Sequence, residues 1–334
     1  MLNHTYQVTD KVDFSANSTK SIDIPETGYI NEINLLLELY VTPATSVSAN
    51  EDALARIIDA LKITAAGGKS YFTVDDGRQL LYHCFHQYQG QLLHDALPSA
   101  GGSATTVRAL FPLHFGLDPF DSFDPSVIIP GAELSNLKLE VTWGSASDLG
   151  TGFTITAASS QMRAIVKELT LEKGETRDRI WPDGINVPLF ESRSLSLSAA
   201  ASNLGKTDSV PVGSMLHSAL IIVLNSSGNR SDTDVTEFGT KYPKLALEEF
   251  RIDNFYAIKG INRKQFLLPG TVVGQPSSWL SDPKGVFLFK FSEVTGKAIG
   301  IDLSTAMTGD VKLGFTVAST GGQILILYRS IALG

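Results

Sequence analysis

The stretch INLLLELYV, residues 33–41, decides the fold. Ile33, Leu35, Leu37, Leu39 and Val41 are apolar, while Asn34 and Glu38 between them are polar. A period of two places successive side chains on opposite faces of a strand, so this segment reads as a strand half-buried against a core. The same period returns in Leu137, Leu139, Val141 and Trp143, and again in Val311, Leu313, Phe315 and Val317. Between such runs lie AAGGKS (65–70), PSAGGS (98–103), GSASDLGTG (144–152), NSSGNRSD (225–232) and ASTGGQ (318–323). Their Gly, Asn, Asp and Ser residues tolerate positive φ or bond their own backbone, which makes them turns. Short strands separated by turns predict antiparallel sandwiches and not alternating βα units.

Helical signals are few. After Asp75-Asp76-Gly77, the residues Leu80, Leu81, Cys84, Phe85, Tyr88 and Leu92 follow a 3.6 period, and a helix is expected at about 78–94. A shorter helix is expected from Asn50 as N-cap, with Leu54, Ile57, Ile58 and Leu61 on one face.

The two halves of the chain read as copies of one plan. INLLLELYV at 33–41 corresponds to SALIIVLN at 218–225, and IIDALKIT at 57–64 to LEEFRIDN at 247–254. VRALFPLHF at 107–115 corresponds to the run from Val286, NLKLEVTW at 136–143 to DVKLGFTV at 310–317, and AIVKELTL at 164–171 to ILILYRSI at 324–331. The order is the same in both halves. Between them, EKGETRDRIWPDGINVP at 172–188 is rich in charge, Gly and Pro, as an exposed connection would be. The expected layout is an N-terminal arm (1–19), a first jelly roll (20–172), a linker (173–186) and a second jelly roll (187–334). The fold class is therefore all-β: two tandem eight-stranded jelly rolls, with a few short helices in loops.

Composition narrows the function classes. The 334 residues are 43% hydrophobic, enough for large cores, and 27 basic against 35 acidic residues give a net charge of −8. That balance lacks the basic footprint of a phosphate-backbone binder, so no sequence-specific nucleic-acid binding is expected. The single cysteine, Cys84, forms no intramolecular disulfide and implies a reducing compartment. The opening residues show no basic-then-apolar leader, and the longest apolar runs, such as LIIVL at 220–224, are far shorter than a membrane span. The expectation is a soluble chain made in the cytoplasm without a signal peptide.

Residue types that carry chemistry are present without the patterns that chemistry needs. His83, Cys84, His86 and His94 are zinc-ligand types, yet on a helix Cys84 points to the apolar face, away from His83 and His86. Asp118, Asp121 and Asp124, and separately Asp232, Asp234 and Glu237, are oxygen ligands suited to calcium, but neither set has the spacing of a calcium loop with its central glycine. No metal, cofactor or catalytic residue is assigned. There is no Gly-x-Ser-x-Gly elbow, and GGK at 67–69 reads as a hairpin turn and not a phosphate loop. Carboxylate pairs for glycoside hydrolysis are set by fold, not spacing, and stay open at this point. Phe120, Phe123, Trp181 and Trp279 are read as exposed aromatics and as subunit contacts, because aromatics are enriched in interface cores.

The stretch from Val107 to Trp143 carries a more specific pattern: an apolar strand ending in Pro112-x-x-Phe115, an acidic loop, Ile129-Pro130 opening a strand, and Leu137-x-Leu139-x-Val141. With the two sandwiches in series, it resembles the double jelly-roll major capsid proteins of tailless icosahedral viruses, in their bacteriophage-like branch. The resemblance implies a structural, non-enzymatic role: homotrimers of upright jelly rolls forming pseudo-hexagonal tiles in a virion shell. It implies as partners further copies of the chain, neighbouring capsomers, penton or minor capsid proteins, and in many members an underlying lipid membrane. Two rival readings share the strand composition. A carbohydrate-binding or carbohydrate-cleaving double β-sandwich would use Trp181 and Trp279 as sugar platforms, and a viral spike would form trimers that never tile.

Overall fold

The computed structural model describes residues 2–88, 93–118, 121, 124–197, 201–231, 234–241, 283–291, 300–309, 311–317 and 321–334. The chain divides into two compact units, residues 1–190 with 332–334, and residues 191–331.

The first unit contains β1 (Leu2–Asp13), β2 (Thr19–Asp23), β3 (Tyr29–Ala49), α1 (Ala53–Arg56), β4 (Ile58–Thr64), β5 (Ser70–Val74), α2 (Gly77–Gln87), β6 (Leu93–His94) and β7 (Thr105–His114). It continues with β8 (Lys138–Trp143), α3 (Ala146–Leu149), β9 (Gly150–Ile155), β10 (Gln161–Leu171) and α4 (Arg177–Ile180). One sheet runs β1-β10-β3-β7-β6, with β9 on the far end of β3, and the other runs β2-β8-β4-β5. Setting aside the added β6 and β9, the remaining eight strands alternate between the sheets in jelly-roll order, first-eighth-third-sixth and second-seventh-fourth-fifth.

The alternation in β3 is what the sheet uses. Ile33, Leu35, Leu37, Leu39 and Val41 are all fully buried, and Leu139, Val141 and Trp143 of β8 likewise. At roughly 1.5–3 kcal/mol for each large apolar side chain removed from water, these eight side chains contribute on the order of 12–24 kcal/mol. Phe14 packs edge-on against Trp143 at 5.3 Å. GGK at 67–69 lies in the turn joining the antiparallel β4 and β5.

Both helical expectations need correcting. α2 begins as read, capped by Asp76, whose side chain accepts from Arg78 N at 2.9 Å, but it ends at Gln87 and not near 94. Leu93 and His94 belong instead to β6, paired with Leu110 and Ala109 of β7. Gly90, a poor helix former, lies between the two. The helix expected from Asn50 is one turn, Ala53–Arg56, with Asp52 and not Asn50 at its N-cap. The Asn50 amide is engaged elsewhere, donating to the carbonyls of Ser147 and Asp148. Ile58 already opens β4. Gly77 is required by close approach, since a Cβ there would strike the carbonyl oxygen of Ala55.

Residues 2–13, expected as part of an arm, form β1, an edge strand paired with β10 along almost its whole length. Residues 173–186 are more than an exposed linker: Trp181 and Ile185 are buried.

The second unit takes in β11 (Val187–Leu197, which begins in the first unit), β12 (Ala201–Ser209), β13 (Met215–Leu224), β14 (Val235–Lys241), β15 (Val286–Lys290), β16 (Ile301–Asp302), β17 (Lys312–Val317) and β18 (Gly322–Ala332). Its sheets run β11-β18-β13-β15, with β16 on β13, and β12-β17-β14. The first repeats β1-β10-β3-β7 strand for strand. A single apolar cluster joins both sheets, with Ile221 and Val223 of β13, Ile324, Ile326 and Tyr328 of β18, and Leu313, Phe315 and Val317 of β17. Four of the five paired segments thus hold equivalent ladder positions. Among the described strands β14 stands beside β17 as β4 stands beside β8. Residues 247–254 lie outside the described residues.

Candidate functional site

An organised surface of the first unit is the outward face of the β1-β10-β3-β7-β6 sheet, opposite the Ile33–Val41 core stripe. Strand register sorts it into rows. Tyr6, Lys167, Glu32 and His114 lie side by side across β1, β10, β3 and β7. Val8, Ile165, Asn34 and Pro112 form the next row, followed by Arg163, Leu36, Leu110 and Leu93. A charged row, Gln161, Glu38 and Arg108, lies beyond, with Glu38 accepting from Gln161 at 2.9 Å and from Arg108 at 3.0 Å. Hydrogen bonds from Gln161 and Arg108 hold the Glu38 carboxyl below its ordinary range.

The middle of this face is apolar and partly open. Tyr6 and Val8 are 60% and 62% exposed and Leu93 is 43% exposed, while Ile165, Leu36 and Leu110 are half-buried. Scattered exposed hydrophobics need no explanation, but a band crossing a rigid sheet is suited to docking against another protein surface.

Beyond Tyr6, the row below it is polar and closed. Lys167 is 2% exposed and its Nζ lies 3.6 Å from Glu32 Oε2, while the fully buried His114 ring places Nδ1 3.9 Å from the same oxygen. Asn34 donates to Glu32 Oε1 at 2.6 Å. Burial alone would raise the Glu32 carboxyl, but the nearby His114 ring, the hydrogen bond from Asn34 and the Lys167 charge bring it below the ordinary value. Gln87 at the end of α2 exchanges hydrogen bonds with the His114 backbone, which covers this end of the sheet. Nothing in a period-two reading found this group. The signal was Lys167-Glu168 in AIVKELTL, two adjacent charged residues on opposite faces of a strand whose two faces are both covered.

Glu168, fully buried, faces the other way. It accepts from Gln7 Nε2 and Thr27 Oγ1 at 2.6 Å each, and from the backbone N–H groups of Gly28 and Thr27 at 3.1 and 3.2 Å. One side chain of β10 thereby fastens β1 and the turn before β3.

The residues singled out from sequence fare differently. Trp181 is not exposed: it is 7% accessible, its Nε1 donates to the Pro125 carbonyl at 2.9 Å, and its ring lies 4.6 Å from Tyr29. Phe120, Phe123 and Trp279 lie outside the described residues. Asp124 is 8% exposed and works as a loop cap, accepting from Asp118 N at 3.0 Å and Ser126 N at 2.8 Å. Burial would raise it, yet these hydrogen bonds hold it below the ordinary carboxylate value. The Asp118–Asp124 spacing is therefore turn chemistry: the Asp121 and Asp124 N–H groups reach the carbonyls of Asp118 and Asp121, three residues earlier, and the Asp118 N–H reaches the Asp124 side chain. Asp234 is buried with its N–H on Ser231 Oγ, and Asp232 lies outside the described residues.

His83 is buried against Phe190 at 5.0 Å, His86 packs against Phe85 at 5.4 Å, and His94 is exposed on β6. Cys84 is buried and its Sγ contacts the Pro112 carbonyl at 3.3 Å. Among the described residues no three His, Cys, Asp or Glu side chains are grouped to hold a metal ion. Asp59 has its carboxyl raised, by burial and by the neighbouring Asp148 and Asp76. Asp148 is committed to the capping box of α3 and Asp76 to Arg78, so the group is structural and lacks the free carboxylate pair a glycosidase requires.

No family model matches the sequence, and no curated protein matches it. Solved structures do. The crystal structure of the STIV MCP, from Sulfolobus Turreted Icosahedral Virus, is similar over 99% of this chain and 97% of its own, with a TM-score of 0.75 at 14% identity. The major capsid protein P2 from bacteriophage PM2 is similar over 99% and 98%, with a TM-score of 0.54 at 11% identity. The PBCV-1 virus capsid is similar over 99% and 94%, with a TM-score of 0.57 at 12% identity. Matched along nearly the whole of its length and theirs, the chain has the double jelly-roll fold of these viral major capsid proteins.

Proposed function

We propose that this chain is the major capsid subunit of an icosahedral virus, a structural protein without catalytic activity. The observation that carries the reading is coverage: a likeness over 99% of the chain and 97% of the STIV MCP leaves little of either outside the common architecture. Three copies, each with two jelly rolls, would form a pseudo-hexagonal tile, and the apolar band on the first sheet is suited to contact between tiles or within them. Its place is the virion shell, its partners other copies of itself, penton or minor capsid proteins and, beneath the shell, a lipid membrane. The buried Trp181 and the committed Asp76 and Asp148 speak against the carbohydrate reading, which needs an open aromatic platform beside free carboxylates.

The test is light scattering of the purified chain together with electron microscopy of particles from its source. The expected result is a mass about three times the 35.9 kDa of one chain and icosahedral particles in which this chain is the dominant band. A monomer stabilised by sugars, or shells built without this chain, would overturn the proposal.

A further inference from the structure

We propose that residues 2–8 of β1 are a pairing edge for a second copy of this chain: two β1 strands meet antiparallel about a two-fold axis at Thr5 and join their sheets. Among the described strands β1 pairs with β10 alone, so it is an edge. Its two halves differ. From Leu2, opposite Leu171, to Val8, opposite Ile165, the ladder is regular, and none of these seven residues is Asp, Glu, Lys or Arg. Past Val8 the register shifts and Asp10, Lys11 and Asp13 follow, with Lys11 and Asp13 paired at 2.9 Å. Bulges and charges keep an edge strand from pairing with another chain, and here they guard only the second half. In the first half Asn3, Thr5, Tyr6 and Val8 are exposed. An antiparallel edge strand turns alternate backbone groups outward, so a regular, uncharged run of this length is a template for one more strand.

The order of residue types identifies the occupant. Leu2-Asn3-His4-Thr5-Tyr6-Gln7-Val8 runs apolar, amide, ring, Thr, ring, amide, apolar, the same in both directions. Antiparallel pairing about Thr5 sets Leu2 opposite the partner's Val8, Asn3 opposite the partner's Gln7, His4 opposite the partner's Tyr6, and Thr5 opposite the partner's Thr5. Thr–Thr and ring–ring pairs are favourable across strands, and no like charges meet. The contact is isologous, as closed symmetry between identical chains requires. The faces agree as well. Tyr6 and Val8 lie on the outward face with Ile165 and Leu36, and His4 shares that face with Tyr6, their rings 6.1 Å apart, so the apolar band continues across the join. Seven residues of ladder make a small contact beside the roughly 1,200–2,000 Å² of a stable interface, so this edge adds to other contacts between copies and does not hold a dimer alone. It names one contact for the shell reading above and is tested apart from it.

Disulfide trapping in the concentrated full chain reads the register, because oxidation captures a weak contact and needs no shell to form. Cys84, the one native cysteine, is buried, so an introduced thiol is the accessible one. Directly opposed residues of an antiparallel pair have Cα atoms about 4.5–5.5 Å apart, within disulfide reach. Under copper phenanthroline, Thr5→Cys is expected to form a covalent dimer about tenfold faster than Leu2→Cys or Val8→Cys alone, whose thiols stand apart in this register. Mixing Leu2→Cys with Val8→Cys is expected to restore the fast reaction. Adding Thr5→Lys to that mixture sets two ammonium groups opposite each other and is expected to slow it several-fold. A Thr5→Cys chain that bonds no second copy, or a Leu2→Cys chain that bonds itself as fast, would overturn the proposal. Should Thr5→Cys fail to fold, the mixed pair decides: fast bonding of Leu2→Cys to Val8→Cys supports the register and its absence refutes it.

Discussion

Replacing Glu168 tests how much of the first jelly roll hangs on one side chain. Its carboxylate accepts four hydrogen bonds, from Gln7, from the Thr27 hydroxyl, and from the backbone N–H groups of Thr27 and Gly28. In Glu168→Ala the side-chain donors, half-buried Gln7 and exposed Thr27, turn to water. The backbone N–H groups have less freedom, and Gly28 is buried against the Glu168 Cβ, where an added Cβ would come within 2.8 Å. At ~1.5–3 kcal/mol for each hydrogen bond to a charged group, losing the two backbone partners costs roughly 3–6 kcal/mol. In a unit of this size, about 2–4 °C per kcal/mol converts that into a fall of roughly 6–24 °C in Tm. Glu168→Gln keeps an acceptor for the two N–H groups, and the Gln7 amide can rotate to receive the new donor, so about 1–2 kcal/mol is expected. Calorimetry of the purified variants measures both. An Ala variant within about 1 kcal/mol of the parent, or a Gln variant as costly as Ala, would show that the four contacts do not act as argued.

Trp181→Phe should cost about 1 kcal/mol, for the bond to Pro125, and Trp181→Ala about 3–5 kcal/mol for the buried ring. If instead the Ala variant keeps its stability but loses assembly, Trp181 is a subunit contact after all. Burial pushes the Cys84 thiol far above its ordinary value, so a thiol reagent at mildly alkaline pH should label it only at the rate of unfolding, and immediate labelling of native chain would contradict its placement. Acid should destabilise the first unit. Glu32 and Asp124 are held below 4.5 and 3.8, so the stability they contribute is present above those values and lost as pH falls through the lower folded ones. Asp59, raised by burial and by its acidic neighbours, works in the opposite sense. Asp124→Asn should flatten the acid limb of a stability–pH curve, and an unaltered slope would refute that share.

What the sequence made legible follows from the period of two. β3, β7, β8 and β10 each carry a strict or near-strict alternation, and their ladder partners in the second unit could be paired with them by order alone. The reading failed where a local signal competes with pairing. Leu92 continues a helical phase from Leu81 and Phe85, yet Leu93 gains a cross-strand partner in Leu110 that a helix would deny it. Asn50 is a good cap by type, but its amide serves the carbonyls of Ser147 and Asp148, about a hundred residues away. Trp181 sits in a stretch of charge, Gly and Pro, which argues for exposure. Only the fold brings Tyr29 and the Pro125 carbonyl to it, and no spacing encodes that.

The likeness to the STIV MCP at 14% identity has a physical reading of its own. A jelly roll asks that core positions be apolar and alternate, and it leaves open which apolar residue fills each one, because volume-conserving exchanges cost little. Identity can therefore erode while register survives. Polar groups inside the fold are bound differently, since a buried carboxylate needs particular donors at particular distances and tolerates few substitutes. Glu168 on one face of β10 and the Lys167–Glu32–His114 row on the other are departures from the alternating rule within a strand that otherwise obeys it. Alternation places β10 between β1 and β3 in the sheet. The Glu168 contacts tie the first residues of the chain to that sheet, and there the chemistry of this particular chain acts on the edge of a widely shared fold.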